Sequence, residues 1–189
     1  MNLIFLRHGQ TQWNVERRLQ GRTDIPLNEA GIEGAKRAGK ILSRYHFDAV
    51  YSSPLTRALQ TLQYAYPNIP PILDDRLAEW SFGPMEGQPM PDDFFSHRWI
   101  FGQPVIEGVE QIEDVVARVS DFYNEIRKKH PHETILVVAH GGISGALHGA
   151  IYGVKEGESL SPYCLPNSVP VLFREGQAPV ILQEESHER

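Results

Sequence analysis

Two stretches decide the reading of this chain: Asn2-Leu3-Ile4-Phe5-Leu6-Arg7-His8-Gly9 near its start, and Thr134-Ile135-Leu136-Val137-Val138-Ala139-His140-Gly141-Gly142 much later. Each is a short unbroken apolar run that ends in a histidine followed by glycine. Such runs read as strands buried on both faces, and strands of that kind belong to parallel sheets covered by helices. Helical patterns lie between them. Asn28 reads as an N-cap with Glu29 in the first turn, and Ile32, Ala35, Ala38, Ile41, Leu42 and Tyr45 share one helical face. Phe47 to Tyr51 is a second strand, and Ser53-Pro54 reads as a cap and first helical residue for a helix reaching about Tyr64. Val109, Ile112, Val115, Val116, Val119, Phe122 and Ile126 predict a long amphipathic helix, and Gly141-Gly142 opens another towards Tyr152. Val169 to Phe173 and Pro179 to Leu182 predict a hairpin around Glu175-Gly176. Strands alternating with helices give an α/β sandwich on a mostly parallel sheet.

With 189 residues the chain is read as one domain, 1–189, large enough to bury a core without staples. From Pro67 to Pro104 the pattern loosens into Pro, Gly and aromatics, which predicts a lid-like insertion at about 80–106. Eighteen Lys and Arg against 24 Asp and Glu give a net charge of −6, which argues against a nucleic-acid partner. Cys164 is the only cysteine, so neither an internal disulfide nor a thiolate metal site can form. The apolar runs are far shorter than the roughly 20 residues that span a bilayer, and the N-terminal run lacks a preceding positive charge. The expectation is a cytoplasmic protein with no membrane partner. The C-terminal hairpin offers a sheet edge that could pair with a second copy, so monomer and homodimer both stay open.

In a parallel sheet His8 and His140 would both sit at carboxyl ends of strands, where open α/β sheets bind their ligands. The glycine after each lets backbone N–H groups approach a ligand, and the helix after His140 adds the positive end of a dipole. A third strand end leads through Ser52-Ser53-Pro54 to Arg57. Taken singly, His8, His140 and Arg57 would be ordinary structural or surface residues. Two histidines, Arg7, Arg57 and helix N-termini converging on one point make a phosphate pocket, because the planar guanidinium binds phosphate oxygens bidentately and stays charged. A zinc site is the rival, but there is no His-x-x-x-His and no Asp beside either histidine.

Leu6-Arg7-His8-Gly9-Gln10-Thr11 resembles the signature of the histidine phosphatase superfamily, the phosphoglycerate mutase-like proteins. The resemblance continues through Trp13-Asn14, Arg18 to Asn28 and Ser52 to Thr61. It reappears in Glu79 with Phe82-Gly83 and Glu86-Gly87, and in Val138 to Gly142, all in the family's order. It implies a three-layer α/β/α sandwich of phosphoglycerate mutase-like type. It also implies that His8 is a nucleophile that becomes a phosphohistidine, its other ring nitrogen held by a backbone carbonyl. Arg7, Arg57 and His140 would clamp the non-transferring oxygens, and Asn14, Gln20 and the backbone of Gly21 and Gly141 would complete the pocket. Glu79 would be the acid that protonates the departing alkoxide and then the base that activates water; an anionic substrate beside it favours the protonated form. Many relatives carry an aromatic where this chain has Pro84-Met85, and Trp80 is a candidate to replace its bulk.

The family divides between phosphomonoester hydrolases and phosphoglycerate mutases, which need 2,3-bisphosphoglycerate as a primer and a second anion site. The span Ser81 to Glu107 holds one basic side chain, Arg98, among Met85, Met90, Phe94, Phe95, Trp99 and Phe101. An apolar, aromatic lid favours the hydrolase, acting on a small phosphorylated metabolite, while Arg17, Arg18 and Arg22 keep the mutase as the alternative. A third reading is a catalytically silent phospholigand binder, although such a relative would typically have lost one of the key residues. No metal and no other cofactor is called for, because arginines and histidines do the neutralising.

Overall fold

In the computed structural model, which describes residues 1–92, 100–102 and 107–184, one sheet runs through the molecule. Its strands are β1 (Asn2–Arg7), β2 (Ala49–Ser52), β3 (Ile72–Leu73), β4 (Thr134–Ala139), β5 (Pro170–Phe173) and β6 (Val180–Ile181), in the order β3-β2-β4-β1-β5-β6. The pairs β1/β4, β2/β4 and β2/β3 are parallel, whereas β5 runs antiparallel to β1 and forms the expected hairpin with β6.

Side-chain alternation along the central strands divides the core in two. Leu3 and Phe5 of β1 and Ile135 and Val137 of β4 face one helical layer, and Ile4, Leu6, Leu136 and Val138 face the other; none is more than 1% exposed. Helices α2 (Glu29–Leu42) and α3 (Thr56–Ala65) pack together on the second face. Helices α4 (Ile112–Lys129) and α5 (Gly141–Tyr152) pack together on the first. This is the three-layer α/β/α sandwich. Asn28 does cap α2, its side chain accepting from the Gly31 N–H at 2.8 Å. On α4, Val115, Val119, Phe122 and Ile126 are buried, with Glu113 and Asp114 in the first turn and Arg127, Lys128 and Lys129 in the last, as the helix dipole favours.

The structure departs from the sequence reading in three places. A one-turn helix, α1 (Gln12–Val15), follows β1 in a stretch to which the sequence reading assigns no element, started by a capping box between Thr11 and Asn14. Helix α3 begins at Thr56 and not at Pro54; the Ser53 hydroxyl meets His140 Nε2 at 2.7 Å and accepts from the Leu55 N–H at 3.3 Å, short of the first helical residue. Its first N–H is capped instead by Asp24, which accepts from the Thr56 amide at 2.8 Å and the Thr56 hydroxyl at 2.7 Å. At the start of the predicted lid, Trp80 and Phe82 are core residues, 1% and 6% exposed, and pack on one another. Phe94, Phe95, Arg98 and Trp99, on which the lid argument leaned, lie outside the described residues. Among the described residues no helix is long and apolar enough to cross a membrane.

Candidate active site

Because β1 and β4 are parallel neighbours in register, with Arg7 opposite Ala139, their carboxyl ends deliver His8 and His140 side by side. The ring centroids are 5.2 Å apart, and both rings are buried. His8 Nδ1 lies 2.7 Å from the Gly9 carbonyl oxygen. A carbonyl can only accept, so Nδ1 carries the hydrogen and the lone pair belongs to Nε2. The turn that holds this geometry is pinned from three sides. The Gly9 N–H donates to the Thr61 hydroxyl at 2.8 Å, and the Asn167 amide donates to the His8 carbonyl at 2.8 Å. Gly9 also passes so close to α2 that a Cβ there would sit 2.5 Å from the Gly31 carbonyl oxygen, so no larger residue fits.

Two guanidinium groups flank the histidines. Arg7 donates through Nη1 to the Leu165 carbonyl at 2.7 Å. Arg57, fully buried, donates to the carbonyls of Thr23 and Gly21 at 2.9 and 2.6 Å. Arg7 Nε, Arg57 Nε and His140 Nδ1 are buried with no hydrogen-bond partner among the described residues. Burial lowers the pKa of both arginines from the ordinary value, opposed by the nearby charge of Glu79; arginine remains a cation through such a change. Burial, and then the charges of Arg57 and Arg7, holds His8 well below the usual histidine range. His140 is depressed in the same way, by burial first and then by Arg57. Two neutral imidazoles beside two cations lacking a full set of acceptors make a site that favours an anion.

The loop carrying Gly21 has its own support. Gly21 is in the left-handed region at φ 54°, and a Cβ on it would lie 2.2 Å from Glu86 Oε1. The Glu86 carboxylate accepts from the N–H groups of Arg22, Thr23 and Phe82, and from the Thr23 hydroxyl. The carbonyls that hold Arg57 therefore hang from Glu86. The Asn14 amide oxygen accepts from the Thr11 N–H at 3.0 Å and the Gln20 amide oxygen from the Thr11 hydroxyl at 2.9 Å, which leaves the NH₂ ends for another acceptor.

Glu79 is 9% exposed, and its two oxygens accept from the N–H groups of Trp80 at 3.0 Å and Gly142 at 3.3 Å. It faces a cavity of about 410 Å³ that Arg7, His8, Asn14, Gln20, Gly21, Arg57 and Gly141 also line. Every candidate site residue reaches this cavity except His140, which stands behind His8. The rim is apolar, formed by Trp13, Leu19, Phe82 and Met90. Trp80 contributes nothing to it: its indole N–H donates into the core to the Glu110 carbonyl at 2.6 Å. The aromatics at the cavity are Phe82 and Trp13, the latter packed against Gly87. Arg17 and Arg18 line the cavity but are paired with Asp92 and Glu16, while Arg22 turns away to the Glu79 carbonyl. Cys164 also lines it, with burial pushing its thiol pKa up, so it stays protonated and is no nucleophile. Among the described residues no cluster of His, Cys, Asp and Glu could hold a metal ion.

Thr61, Ser53, Glu86 and Asn167 all hold functional groups in place, yet none was picked out as doing so from the sequence. Three of them lie inside blocks that resemble the family, which was the available signal. Asn167 had none.

Known proteins are similar to this chain in sequence and in fold. A profile of the histidine phosphatase superfamily (branch 1) matches residues 3–184. The chain is 35% identical to phosphoserine phosphatase 1 of Hydrogenobacter thermophilus, over 97% of this chain and 91% of that protein. It is 32% identical to a 2,3-bisphosphoglycerate-dependent phosphoglycerate mutase of Brucella melitensis, over 91% of each. The fold is similar to that of a mutant phosphoserine phosphatase from Entamoeba histolytica in complex with phosphoserine, with a TM-score of 0.81 and 27% identity over 99% of this chain and 98% of that one. A match that runs through nearly the whole chain, on a fold that superimposes over the same length, identifies an enzyme of phosphatase type: the chain belongs to the histidine phosphatase superfamily.

Proposed function

We propose that the protein hydrolyses phosphomonoesters of small metabolites without a metal, through a phosphohistidine on His8, with Glu79 as general acid and then base. The observation that carries this reading is the bond from His8 Nδ1 to the Gly9 carbonyl, which reserves the Nε2 lone pair in a neutral ring at the cavity. Nε2 attacks phosphorus in line as the P–O bond to the leaving group breaks, and Glu79 delivers a proton to the departing alkoxide. Water then attacks the phosphohistidine, giving a proton to Glu79, and phosphate leaves from a regenerated imidazole.

Arg7 and Arg57 take up the charge that spreads over the non-transferring oxygens, the work that a metal does elsewhere, while His140, which does not line the cavity, packs against the His8 ring and is held by Ser53. The amides of Asn14 and Gln20 and the backbone of Gly21 and Gly141 supply further donors. Support for a small phosphorylated substrate comes from the phosphoserine phosphatases among the relatives, one of them bound to phosphoserine.

A mutase is the second reading, favoured by the Brucella relative and by the two arginines at the cavity. Against it, both arginines already face carboxylates, and the rest of the rim is apolar. The deciding experiment measures phosphate release in EDTA from phosphoserine, 3-phosphoglycerate and other phosphomonoesters, with 2,3-bisphosphoglycerate added in one arm and His8→Ala alongside. Release that vanishes in the variant supports the hydrolase. Primer-dependent isomerisation without release makes the protein a mutase, and neither activity leaves a phospholigand binder.

A further inference from the structure

Behind Glu79, away from the cavity, lies a half-hidden ion pair that the mechanism above does not use. Arg118 of α4 and Glu110 just before that helix meet at 2.8 Å, with side chains only 16% and 15% exposed. Their remaining hydrogen bonds converge on the turn that carries Glu79. Arg118 Nη1 donates to the carbonyls of Arg76 and Ala78 at 2.5 and 2.7 Å, and Nη2 reaches the Glu79 carbonyl at 3.4 Å. On the far side of Glu79, the Glu110 carboxylate accepts from the Ser81 N–H at 3.0 Å. The Glu110 backbone closes the ring, its N–H donating to the Ser81 carbonyl at 2.9 Å and its carbonyl accepting from the Trp80 indole.

The residues on both sides of Glu79 are thus tied to one pair anchored on α4. Among the described residues no other side-chain pair reaches so many polar groups of residues 76–81; Arg22 adds one bond, its Nε donating to the Glu79 carbonyl at 3.3 Å, and lies 3.6 Å from Glu110. A solvated helix arginine would face water, and a simple salt bridge would not spend three guanidinium donations on the carbonyls of Arg76, Ala78 and Glu79. The turn has no ladder of its own, because it leaves β3 through a single tight turn, Asp75–Leu77, and runs on as irregular backbone. The planar fork supplies what the missing ladder would: several donors in fixed geometry from a rigid helix.

We infer that Arg118 and Glu110 are positioning residues for the general acid, setting where the Glu79 carboxyl stands relative to the leaving-group oxygen. The inference rests on the proposed role of Glu79. It makes the pair matter in proportion to how much the leaving group needs a proton. A misplacement of about 1 Å can cost on the order of a hundredfold in a step that depends on it, and almost nothing in one that does not. The consequence is read in kcat/KM, which covers steps up to P–O cleavage.

The test compares phenyl phosphate with 4-nitrophenyl phosphate, which differ only in leaving-group basicity, in the wild type, Glu79→Gln, Arg118→Met, Arg118→Lys and the double variant Arg118→Met with Glu79→Gln. Arg118→Met should lower kcat/KM for phenyl phosphate by roughly 10- to 100-fold and for 4-nitrophenyl phosphate by less than about threefold. Arg118→Lys, a point charge that cannot bridge three carbonyls, should fall between. The double variant should be no worse than Glu79→Gln alone, since a displaced acid and an absent one are equivalent. Equal losses on both esters with an unchanged melting temperature would overturn the inference, as would losses that multiply in the double variant. Should Arg118→Met fail to fold, Arg118→Lys and Glu110→Gln carry the same comparison, and an unchanged ester ratio in both refutes it. A Glu79→Gln enzyme that loses both esters equally would instead overturn the acid role itself.

Discussion

Lowering the pH should destabilise this protein well before its carboxylates titrate, because two buried histidines are held neutral at its centre. Burial, followed by Arg57 and Arg7, depresses His8, and burial with Arg57 depresses His140. In the unfolded chain both take up a proton near pH 6.5, while in the folded protein they do so only at lower pH. The unfolded state therefore binds more protons below that point, and stability falls as pH falls. Each histidine contributes close to 1.4 kcal/mol per pH unit below about 6.5, so the pair costs about 2.5 kcal/mol between pH 7.5 and 5.5. His148, lowered by its own burial, acts in the same direction. Asp74, where hydrogen bonds from Arg76 outweigh burial, releases its stabilisation only below the carboxylate range and stays out of this window. With a urea m-value of about 2–3 kcal/mol per molar, the midpoint should drop by roughly 1 M across the two pH units. Urea titrations at pH 7.5, 6.5 and 5.5 measure this, with His8→Asn and His140→Asn each expected to remove about half of the slope. A midpoint that does not move with pH, or a slope that survives in both variants together, would show that the imidazoles are not held neutral by the arginines and their burial.

Other consequences are smaller or more local. Glu86→Ala removes the carboxylate that accepts from the Arg22 and Thr23 N–H groups and the Thr23 hydroxyl; urea unfolding should show a loss of about 2–4 kcal/mol, and weaker competitive inhibition by phosphate should follow as the carbonyls holding Arg57 drift. Asn167→Ala releases the His8 carbonyl and should cost about 1 kcal/mol in stability while lowering kcat more than it raises KM, as steady-state kinetics on a phosphomonoester can measure. Vanadate, a trigonal-bipyramidal mimic of the transition state, should inhibit more strongly than phosphate, and the inhibition should persist in EDTA. An activity that requires added magnesium would refute the metal-free scheme. Phosphate at 100 times its dissociation constant should stabilise the fold by about 2.7 kcal/mol in the same titrations, and His8→Ala with Arg57→Ala should abolish that gain.

What could be read from the residues was what local pattern controls. The runs ending at His8 and His140 announce their strands because both faces are buried, and the parallel pairing of β1 with β4 then brings the two histidines together. Asn28 announces α2 because a cap acts three residues away, within the reach of local sequence. Ser53 misleads for the opposite reason. It has the look of a cap, but its hydroxyl meets a histidine 87 residues further on and its oxygen reaches only the Leu55 N–H, while the first helical N–H is served by Asp24. Trp80 misleads similarly, since nothing around it tells a pocket aromatic from a core one until the Glu110 carbonyl takes its N–H.

The same distinction explains which parts of the site stayed hidden. The roles proposed for His8, Arg7, Arg57 and Glu79 draw on the chemistry of their own side chains, so residue type in a familiar motif points to them. Glu86, Asn167, Thr61 and Arg118 act by holding backbone carbonyls and amides in place, a task that depends on distance and leaves no periodic trace in the chain. Yet the geometry of the reactive groups depends on them. Arg57 is aimed by the carbonyls of Gly21 and Thr23, those carbonyls hang on Glu86, and the His8 turn is held by Thr61 and Asn167. Buried arginines with an unpartnered Nε beside neutral histidines are costly to assemble. Such a pocket persists because the surrounding contacts over-determine it, and its remaining donors are satisfied when an anion of the right shape arrives. Under the proposed function, the energy that binds a phosphate is stored in the framework before the substrate comes, which is the condition for spending it on the transition state.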